Sequence, residues 1–366
     1  MPVDDVPRGA EFAAALHRYA TIAVVGATGA VGREALQQLA AAGVPAARVR
    51  AHASERSVGS TVPYGAAALA VAGLDRSAFV DGGLALLCAD AATARHARAL
   101  AADRACTLVD NSSAFRLDDD VPLVVPEVHG RGFAASRPRL VANPNCSAIL
   151  LCVALAPLRR GFGLEEVVVA TYQAVSGAGL PALAELRAET ERALLGLAPA
   201  PTVFRESCAF NVFSHDSDVD PATGRNVEEQ KLIDETRRIL GLPRLRVSPT
   251  CVRVPVERAH TAAVRVRFGA AAREAEVRAA LAGAPSVVLV DDRDRNAFPT
   301  PRRAAGRDEV FVGRLRPDAA EEPDAEGRST TWSLLLCGDQ LRKGAATNAL
   351  QIAALLAAPV ADDARR

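Results

Sequence analysis

Short apolar segments alternate with amphipathic segments over the first 143 residues of the chain. An apolar, β-branched run at 21–25 is followed by a glycine-rich turn and then by a helical pattern at 33–42. Further apolar runs have the length of strands, and an Ala- and Arg-rich helical pattern separates the last two; these runs lie at 48–53, 66–71, 84–88 and 107–110. This alternation predicts a parallel, doubly wound sheet with helices on its faces.

The pattern changes near Asn143, where longer strands and loops replace the regular alternation. Charged positions on the outer side of one segment predict a helix there, and polar stretches nearer the end predict surface loops. The expected elements are strands at 167–173, 251–255 and 262–268, a turn at 220–224, a helix at 226–240, and loops at 302–308 and 318–329.

A final amphipathic segment at 345–357 predicts a helix that returns to pack on the first part of the chain. We therefore predict an α/β protein of two domains. Residues 1–143 with 344–366 form the doubly wound domain, and residues 144–343 form an α+β domain.

The composition is that of a globular protein. The 366 residues correspond to two domains at about 150 residues each, and no apolar run approaches the ~20 residues that span a bilayer. The 43 Lys and Arg residues balance 43 Asp and Glu residues. Because the chain has no overall positive charge, we expect neither nucleic acid nor a membrane as partner.

The cysteines indicate a reducing compartment. Seven cysteines form no C-x-x-C pair, and an odd number argues against a disulfide framework. The first twenty residues show no secretory signal, so we expect a cytoplasmic protein. The sequence contains no evident metal-ligand cluster.

The glycine-rich turn after the first predicted strand has the spacing G-x-x-G-x-x-G. Glycines let the backbone approach a dinucleotide pyrophosphate, and the following helix presents N–H groups and its positive dipole end to the phosphates. We predict a Rossmann-type nucleotide-binding domain whose cofactor contacts include Gly26, Thr28, Gly29, Ala30, Val31 and Gly32.

The end of the second predicted strand bears on the choice between NAD and NADP. An NAD-specific site places an acidic residue there, on the ribose 2′-hydroxyl. In this chain Arg56 is flanked by Ser54 and Ser57, a pattern that resembles a clamp for the 2′-phosphate of NADP. We favour NADP, with these three residues as contacts, and Glu55 leaves NAD open as the alternative.

Cys146 is the candidate nucleophile. Asn145 precedes it as the expected N-cap of an apolar helix, and the N-terminus of a helix stabilises the thiolate form of a cysteine. A buried structural cysteine is the alternative, and it fits Cys152 better. Among the six histidines, His260 follows a strand-like segment and is the favoured proton carrier. His129 and His215 compete with it.

Taken together, the segments resemble the aspartate-β-semialdehyde dehydrogenase family. The resemblance extends in order over nearly the whole chain, and the cysteine and T-Y-Q-A-V-S-G-A-G segments are more specific than the glycine turn. The matching stretches are 26–32, D-N-S-S-A-F-R at 110–116, V-P-L-V-V-P-E-V at 121–128, N-P-N-C at 143–146, T-Y-Q-A-V-S-G-A-G at 171–179, 210–212, 250–256 with His260, and R-K-G-A-A-T-N at 342–348.

The resemblance implies that NADPH reduces L-aspartyl 4-phosphate to L-aspartate 4-semialdehyde with release of phosphate, in the biosynthesis of lysine, threonine and methionine. It implies a thioester on Cys146. It also implies a nucleotide-binding domain followed by a catalytic and dimerisation domain, as in glyceraldehyde-phosphate dehydrogenase, and a homodimer.

The resemblance also implies individual roles. His260 is the acid/base, Gln173 orients the acyl intermediate, and Arg253 clamps the substrate α-carboxylate. Glu228 binds the substrate amino group, although an ordinary i, i+3 ion pair with Lys231 is an alternative reading of both residues. The remaining implied contacts are Lys231, Arg116 and Asn145 for phosphate, and Ser176, Gly177 and Asn348 for the cofactor.

The chain departs from the family pattern at three places. Cys88-Ala89-Asp90-Ala91-Ala92 stands where a glycine-rich S-A-G-G-S-like turn is expected, His129 replaces Asn, and Glu257-Arg258-Ala259 precedes the histidine. The altered turn motivates one alternative, a non-catalytic dinucleotide-binding paralogue. A second alternative is reduction of N-acetylglutamyl phosphate, whose acylated nitrogen offers no ammonium group to Glu228.

Overall fold

A computed structural model describes residues 6–357. The chain forms two compact units, Met1–Pro144 with Ala345–Arg366 and Asn145–Gly344. The predicted first domain includes residues 1–5 and 358–366, which lie outside the described residues.

The secondary-structure elements alternate between helices and strands along the first unit and are longer in the second. The strands are β1 (Ile22–Val25), β2 (Val49–His52), β3 (Thr61–Tyr64), β4 (Ala67–Ala72), β5 (Leu84–Leu87), β6 (Thr107–Asp110), β7 (Leu140–Ala142), β8 (Glu166–Gln173), β9 (Phe213–Ser214), β10 (Arg246–Arg253), β11 (His260–Ala272), β12 (Val287–Leu289), β13 (Val310–Pro317) and β14 (Ser329–Gly338). The helices are α1 (Gly9–Leu16), α2 (Ala30–Ala41), α3 (Ala91–Leu100), α4 (Pro126–His129), α5 (Cys146–Phe162), α6 (Leu180–Leu194), α7 (Val227–Leu240), α8 (Glu274–Ala282), α9 (Pro301–Ala304) and α10 (Thr347–Ala357).

The sheet of the first unit has the order β3-β4-β2-β1-β5-β6-β7. All neighbouring pairs are parallel except β3 with β4. The central strands β1 and β5 are buried along their whole length, as expected for a parallel sheet covered on both faces. The doubly wound α/β fold is therefore confirmed.

The last helix completes the core of the first unit. Leu350 and Ile352 of α10 belong to the same buried cluster as Leu36 of α2 and Val24 of β1. Tyr19 also donates a hydrogen bond to the Ala353 oxygen (2.8 Å). The predicted return of the final helix to the first part of the chain is confirmed.

The second unit is an α+β structure around a sheet of order β12-β13-β14-β11-β8-β10-β9. Strands β8 and β10 are parallel, whereas β11 is antiparallel to both β8 and β14. Phe268 stacks between Phe162 and Trp332 in the core, with ring centroids 5.0 and 6.4 Å apart. Within residues 6–357, no helix has both the length and the apolar character needed to cross a membrane.

Two sequence predictions differ from the structure. The segment 302–308, expected to be a surface loop, overlaps the short helix α9, because Pro301 starts a helical turn and Ala304 is buried. The strand expected at 251–255 is β10, which begins at Arg246 and ends at Arg253. Polar residues interrupt the apolar run in the first part of β10, so a prediction based on apolar runs placed the start of the strand too late.

Candidate active site

The glycine-rich turn of the first unit lies between the end of β1 and the start of α2. Gly26 has a φ of +84°, and a Cβ there would lie 2.4 Å from the Cys88 carbonyl oxygen that follows β5. A Cβ at Gly32 would lie 2.2 Å from the Gly26 oxygen. Only glycine therefore allows strand, turn and helix to approach one another this closely.

The N-terminus of α2 is suited to bind an anion. Arg33 N–H donates to the Gly29 oxygen at 2.9 Å, so the preceding N–H groups have no carbonyl partner one turn earlier in the helix. With the helix dipole, such groups favour a phosphate. The predicted cofactor contacts in this turn are Gly26, Thr28, Gly29, Ala30, Val31 and Gly32.

Ser54, Arg56 and Ser57 follow β2, at the edge of the sheet where the glycine turn follows β1. Glu55–Ser57 is a single 3₁₀ turn, and Arg56 and Glu55 are both exposed. Neither side chain forms a hydrogen bond or ion pair with another residue in the described part of the chain. The Arg56 guanidinium is therefore available to a ligand.

The altered turn after β5 has a structural explanation. Asp90 is the N-cap of α3, and its carboxylate accepts a hydrogen bond from Thr93 N–H (2.8 Å). This bond lowers the pKa of Asp90 against a small opposing effect of burial. Burial raises the pKa of the neighbouring Cys88 thiol to about 12. The Asp90 carboxylate, which stands where the family pattern has glycine, thus caps the helix α3.

Arg116 and Asn348 belong to a buried polar cluster in the first unit. Asn348 donates to Asn143 Oδ1 (2.7 Å) and to the Val124 oxygen (3.0 Å). Arg116 donates to the backbone oxygens of Asn143 (3.0 Å) and Asn111 (2.8 Å). These bonds fix the loops that follow β6 and β7, and the predicted contacts of Asn348 with cofactor and Arg116 with phosphate stay predictions.

In the second unit, Cys146 is the first residue of α5 and is half-buried. Asn145 caps the helix as predicted, accepting hydrogen bonds at Oδ1 from the N–H groups of Ser147 (2.9 Å) and Ala148 (3.2 Å). Burial raises the pKa of Cys152 farther along the same helix, as expected for a structural thiol. Cys146 therefore has the helix-terminal position that favours a thiolate.

Glu228, in the first turn of α7, lies at the centre of the hydrogen bonds around the cysteine. It accepts from Asn145 Nδ2 (2.9 Å) and from Gln173 Nε2 (3.2 Å), and Lys231 Nζ lies 3.7 Å from its other oxygen. Burial raises its pKa, but His215, Lys231 and these bonds outweigh burial and bring the pKa below its ordinary value. A buried anionic carboxylate therefore lies next to the candidate nucleophile's helix.

The register of the second sheet brings three predicted side chains to one edge. Gln173 and Arg253 are paired at the carboxyl ends of the parallel strands β8 and β10. Strand β11 runs the opposite way and begins with His260, and its next residue, Thr261, pairs with Tyr172. Gln173 also donates to Ser147 Oγ (3.2 Å), beside Cys146. Residues far apart in sequence thus meet at this edge.

His260 is a neutral imidazole with a defined tautomer. Ala174 N–H donates to its Nδ1 at 3.0 Å, so the ring proton is on Nε2. Burial and the nearby Arg253 lower its pKa to about 3, despite the opposing effect of Glu228. Nε2 is buried and has no hydrogen-bond partner among the described residues. A buried N–H without a partner is costly, so this atom is suited to a ligand.

The competing histidines have local partners. The ring of His129 in the first unit lies with Nδ1 3.0 Å from the oxygen of Val125, the N-cap residue of α4. His215 Nε2 lies 2.9 Å from Arg253 Nη2, and its Nδ1 lies 3.2 Å from the Ser217 backbone N. His215 therefore contacts a predicted substrate-binding residue.

Asp216 was missed by the sequence analysis. Its Oδ1 accepts from Arg253 Nε (3.1 Å) and Nη2 (2.5 Å), and the Phe204 ring lies 5.3 Å from the guanidinium carbon. The available signal was Arg253 itself, because a buried guanidinium requires a counter-ion. No sequence pattern identifies which of several acidic residues supplies it.

The remaining predicted residues lie near this edge. Gly177 has no side chain, and a Cβ there would lie 3.2 Å from the His260 ring and 3.8 Å from Arg253 Nη1. Ser176 Oγ accepts from Gln340 Nε2 (2.5 Å). Lys231 forms the i, i+3 pair with Glu228 that was the alternative reading of both residues. The predicted nucleophile, acid/base and substrate-binding residues other than Arg116 all belong to the second unit.

Family models match most of the chain. Residues 21–135 match "Semialdehyde dehydrogenase, NAD binding domain", and residues 155–343 match "Semialdehyde dehydrogenase, dimerisation domain". The chain is 41% identical over 337 residues to an aspartate-semialdehyde dehydrogenase of Synechocystis, covering 92% of this chain and 96% of that protein. It is 40% identical over 338 residues to the one of Aquifex aeolicus, covering 92% and 97%.

Solved structures agree with the sequence matches. The crystal structure of aspartate semialdehyde dehydrogenase II from Vibrio cholerae is 37% identical, with a TM-score of 0.84 over 92% of this chain and 98% of that one. Its complex with ASA gives the same TM-score at 36% identity. The chain belongs to the aspartate-semialdehyde dehydrogenase family.

Proposed function

We propose that this protein reduces L-aspartyl 4-phosphate with NADPH, giving L-aspartate 4-semialdehyde and phosphate. The observation that carries the proposal is the grouping in the second unit of a helix-terminal Cys146, an anionic buried Glu228, a buried Arg253 and a His260 whose Nε2 has no partner there. The relatives and the Vibrio cholerae structure with ASA support the substrate.

The charges of the site favour a free amino acid over an N-acylated one. Glu228 is buried and anionic, and its hydrogen bonds to Asn145 and Gln173 leave it suited to an ammonium group. An N-acetylated substrate would place a neutral amide beside this carboxylate, at a cost in desolvation. Arg253 supplies the opposite charge for the α-carboxylate.

The first chemical step belongs to Cys146. Its thiolate attacks the acyl carbon, the new S–C bond forms, and the C–O bond to phosphate breaks, leaving a thioester and inorganic phosphate. The amide of Gln173 donates toward Ser147, next to the cysteine, and is therefore close enough to orient the acyl group. Arg116, Lys231 and Asn145 are kept in this proposal as phosphate contacts.

His260 holds a proton at Nε2 through these steps. Because Nδ1 accepts from Ala174, neutral His260 donates from Nε2 to the substrate oxygen as negative charge develops there. After reduction of the thioester, the tetrahedral oxyanion collapses, the C–S bond breaks, and the aldehyde leaves with the thiolate restored. The acid/base role predicted for His260 thus takes the form of hydrogen-bond donation.

The first unit is suited to hold the nicotinamide cofactor, which supplies the hydride when bound. The close packing at Gly26 and Gly32 leaves backbone N–H groups at the start of α2 for the pyrophosphate. Arg56 provides a guanidinium for a 2′-phosphate, which favours NADP. The predicted contacts of Ser54, Ser57, Ser176, Gly177 and Asn348 are part of this proposal.

The proposal includes the division into a cofactor domain, residues 1–143 with 344–366, and a catalytic and dimerisation domain, residues 144–343. It includes a homodimer built on the second domain, because the outer face of β8 exposes Val168 and Tyr172. A cytoplasmic location is kept from the cysteine pattern.

The test is the reverse reaction, followed as NADP reduction with L-aspartate 4-semialdehyde and phosphate. We expect phosphate-dependent turnover, loss of at least about 10³-fold in Cys146→Ala because the nucleophile is gone, and near-normal rates in Cys106→Ala. Turnover with N-acetylglutamate semialdehyde instead would move the assignment to that substrate. Absence of turnover, together with no selective alkylation of Cys146 in folded protein, would favour the non-catalytic paralogue.

A further inference from the structure

The guanidinium of Arg253 is nearly saturated with hydrogen bonds inside the protein. Of its five N–H groups, two reach Asp216 Oδ1 (3.1 and 2.5 Å), one reaches His215 Nε2 (2.9 Å) and one reaches the Ala174 oxygen (3.2 Å). Among the described residues this leaves a single N–H, on Nη1. The Nε and Nη2 edge, which would bind both oxygens of a carboxylate, is occupied by Asp216.

The two partners differ in how firmly they are held. Arg253 ends the eight-residue strand β10, its side chain is 3% exposed, and Phe204 covers its face. Asp216 lies in the bend after the two-residue strand β9, and its side chain is 27% exposed. Asp216 is therefore the partner nearer to solvent and can turn toward water, whereas Arg253 is enclosed and stays in place.

The charges at this position favour an exchange. A buried guanidinium that loses its counter-ion is strongly destabilised, and Asp216 is the counter-ion of Arg253 among residues 6–357, so Asp216 stabilises the empty site. A substrate carboxylate that replaces Asp216 keeps the guanidinium paired throughout. It also offers two oxygens to the N–H groups that Asp216 contacts through Oδ1 alone.

We propose that Asp216 occupies the place of the substrate α-carboxylate in the empty protein and is exchanged for it when substrate binds. This inference rests on the proposed function. It makes Asp216 a specificity-determining residue, because a substrate without an α-carboxylate cannot replace it at Arg253. It also means that the apparent Kd for substrate is the intrinsic Kd divided by the fraction of molecules in which Asp216 has left Arg253.

His215 keeps Arg253 in position during the exchange. Its Nε2 lies 2.9 Å from Arg253 Nη2, and its Nδ1 lies 3.2 Å from the Ser217 backbone N and 3.1 Å from Ser217 Oγ. Ser217 Oγ in turn accepts from Glu228 N–H (3.2 Å). Residues 215–217 thus contact both Arg253 and Glu228, the residues assigned to the carboxylate and amino groups of the substrate. Within this segment, Asp216 carries the negative charge that leaves Arg253 in the exchange.

The test compares Asp216→Asn with Asp218→Asn, a control whose side chain is 87% exposed and pairs with Arg205 at the surface. Exchange predicts that Asp216→Asn lowers the KM for L-aspartate 4-semialdehyde by about tenfold at similar kcat, since the competitor is removed. It also predicts a lower Tm for the empty variant and a larger Tm increase on adding L-aspartate than in the unaltered protein. Asp218→Asn should change none of these.

An unchanged or raised KM with no larger effect of L-aspartate would overturn the proposal and leave Asp216 as a positioning residue for Arg253. A crystal structure of the unaltered protein with L-aspartate decides the question without a variant. The bound carboxylate should take the Nε and Nη2 groups, and Asp216 still bonded there would refute exchange. If the unaltered protein fails to turn over the semialdehyde, the proposed function fails, and L-aspartate binding still tests the exchange.

Discussion

Arg56 is the residue proposed to set the preference between NADP and NAD. Its exposed guanidinium has no partner within residues 6–357, so it can form charge-assisted bonds to a 2′-phosphate. In Arg56→Ala we expect kcat/KM for NADP to fall by about 10- to 100-fold, with little change for NAD. Initial rates with both cofactors measure this, and Arg76→Ala, another exposed arginine, is the control. Equal losses of kcat/KM with NAD and NADP would show that Arg56 does not bind the 2′-phosphate.

His260 makes the stability of the protein depend on pH. Its pKa is lowered by burial to about 3, so between pH 3 and about 6.5 the unfolded chain binds a proton that the folded protein does not. Stability therefore falls as pH falls through this range, by about 2 kcal/mol at pH 5 from this group. Urea unfolding at pH 8 and pH 5 measures the loss, and His260→Gln should lose about 2 kcal/mol less than the unaltered protein. Equal losses in both proteins would contradict the assignment.

Single residues could be predicted where local chemistry defines them. Asn145 and Cys146 were found because an N-cap and a helix start are properties of adjacent residues. Asp216 was not found, because its partner Arg253 is 37 positions away and the contact exists only in the folded chain. The hydrogen bond from Ala174 that fixes the tautomer of His260 could not be predicted either, because these two residues are also far apart in sequence.

At the level of elements, α3 depends on the residue that departs from the family pattern. Asp90 caps this helix through Thr93 N–H. Asp90→Ala should reduce the free energy of unfolding by about 1 kcal/mol, and Asp90→Asn should retain most of it, because asparagine also caps helices. Denaturant unfolding of the three proteins measures the difference. A loss of equal size in the asparagine variant would indicate that charge, rather than the cap, is what matters.

The strands of the first unit could be predicted because parallel strands buried on both faces are continuous apolar runs. The second unit was harder. Strand β13 is interrupted by Gly313 and arginines, and the Leu334–Leu336 run of β14 fits a helix as well as a strand. Segment β14 is a strand because it pairs with β11. This pairing cannot be predicted from the residues of β14 alone.

For the whole molecule, the outer face of β8 is the surface expected to join two copies. Tyr172 is 40% exposed there, and Val168, four residues earlier, lies on the same face of the strand. A charge placed on such a surface must be desolvated on association, so Tyr172→Glu should weaken a dimer by at least about 100-fold. Light scattering on a gel-filtration column measures the mass. Val58→Glu, a similarly exposed apolar position in the first unit, should leave it unchanged.

If the Tyr172→Glu and Val58→Glu variants are both dimers, the interface must lie on another surface. Exposed apolar residues farther along the second unit, Leu194, Leu195 and Phe210, would then be the next to change.

The return of α10 to the first unit has a consequence for synthesis of the chain. A ribosome delivers the strands of the first unit before the second unit and residues 347–357 after it, yet Leu350 and Ile352 belong to the same buried cluster as Leu36. Until α10 emerges, that cluster is open on one side and Tyr19 lacks the Ala353 carbonyl. The core of the first unit is therefore completed only after every residue of the second unit has already been translated.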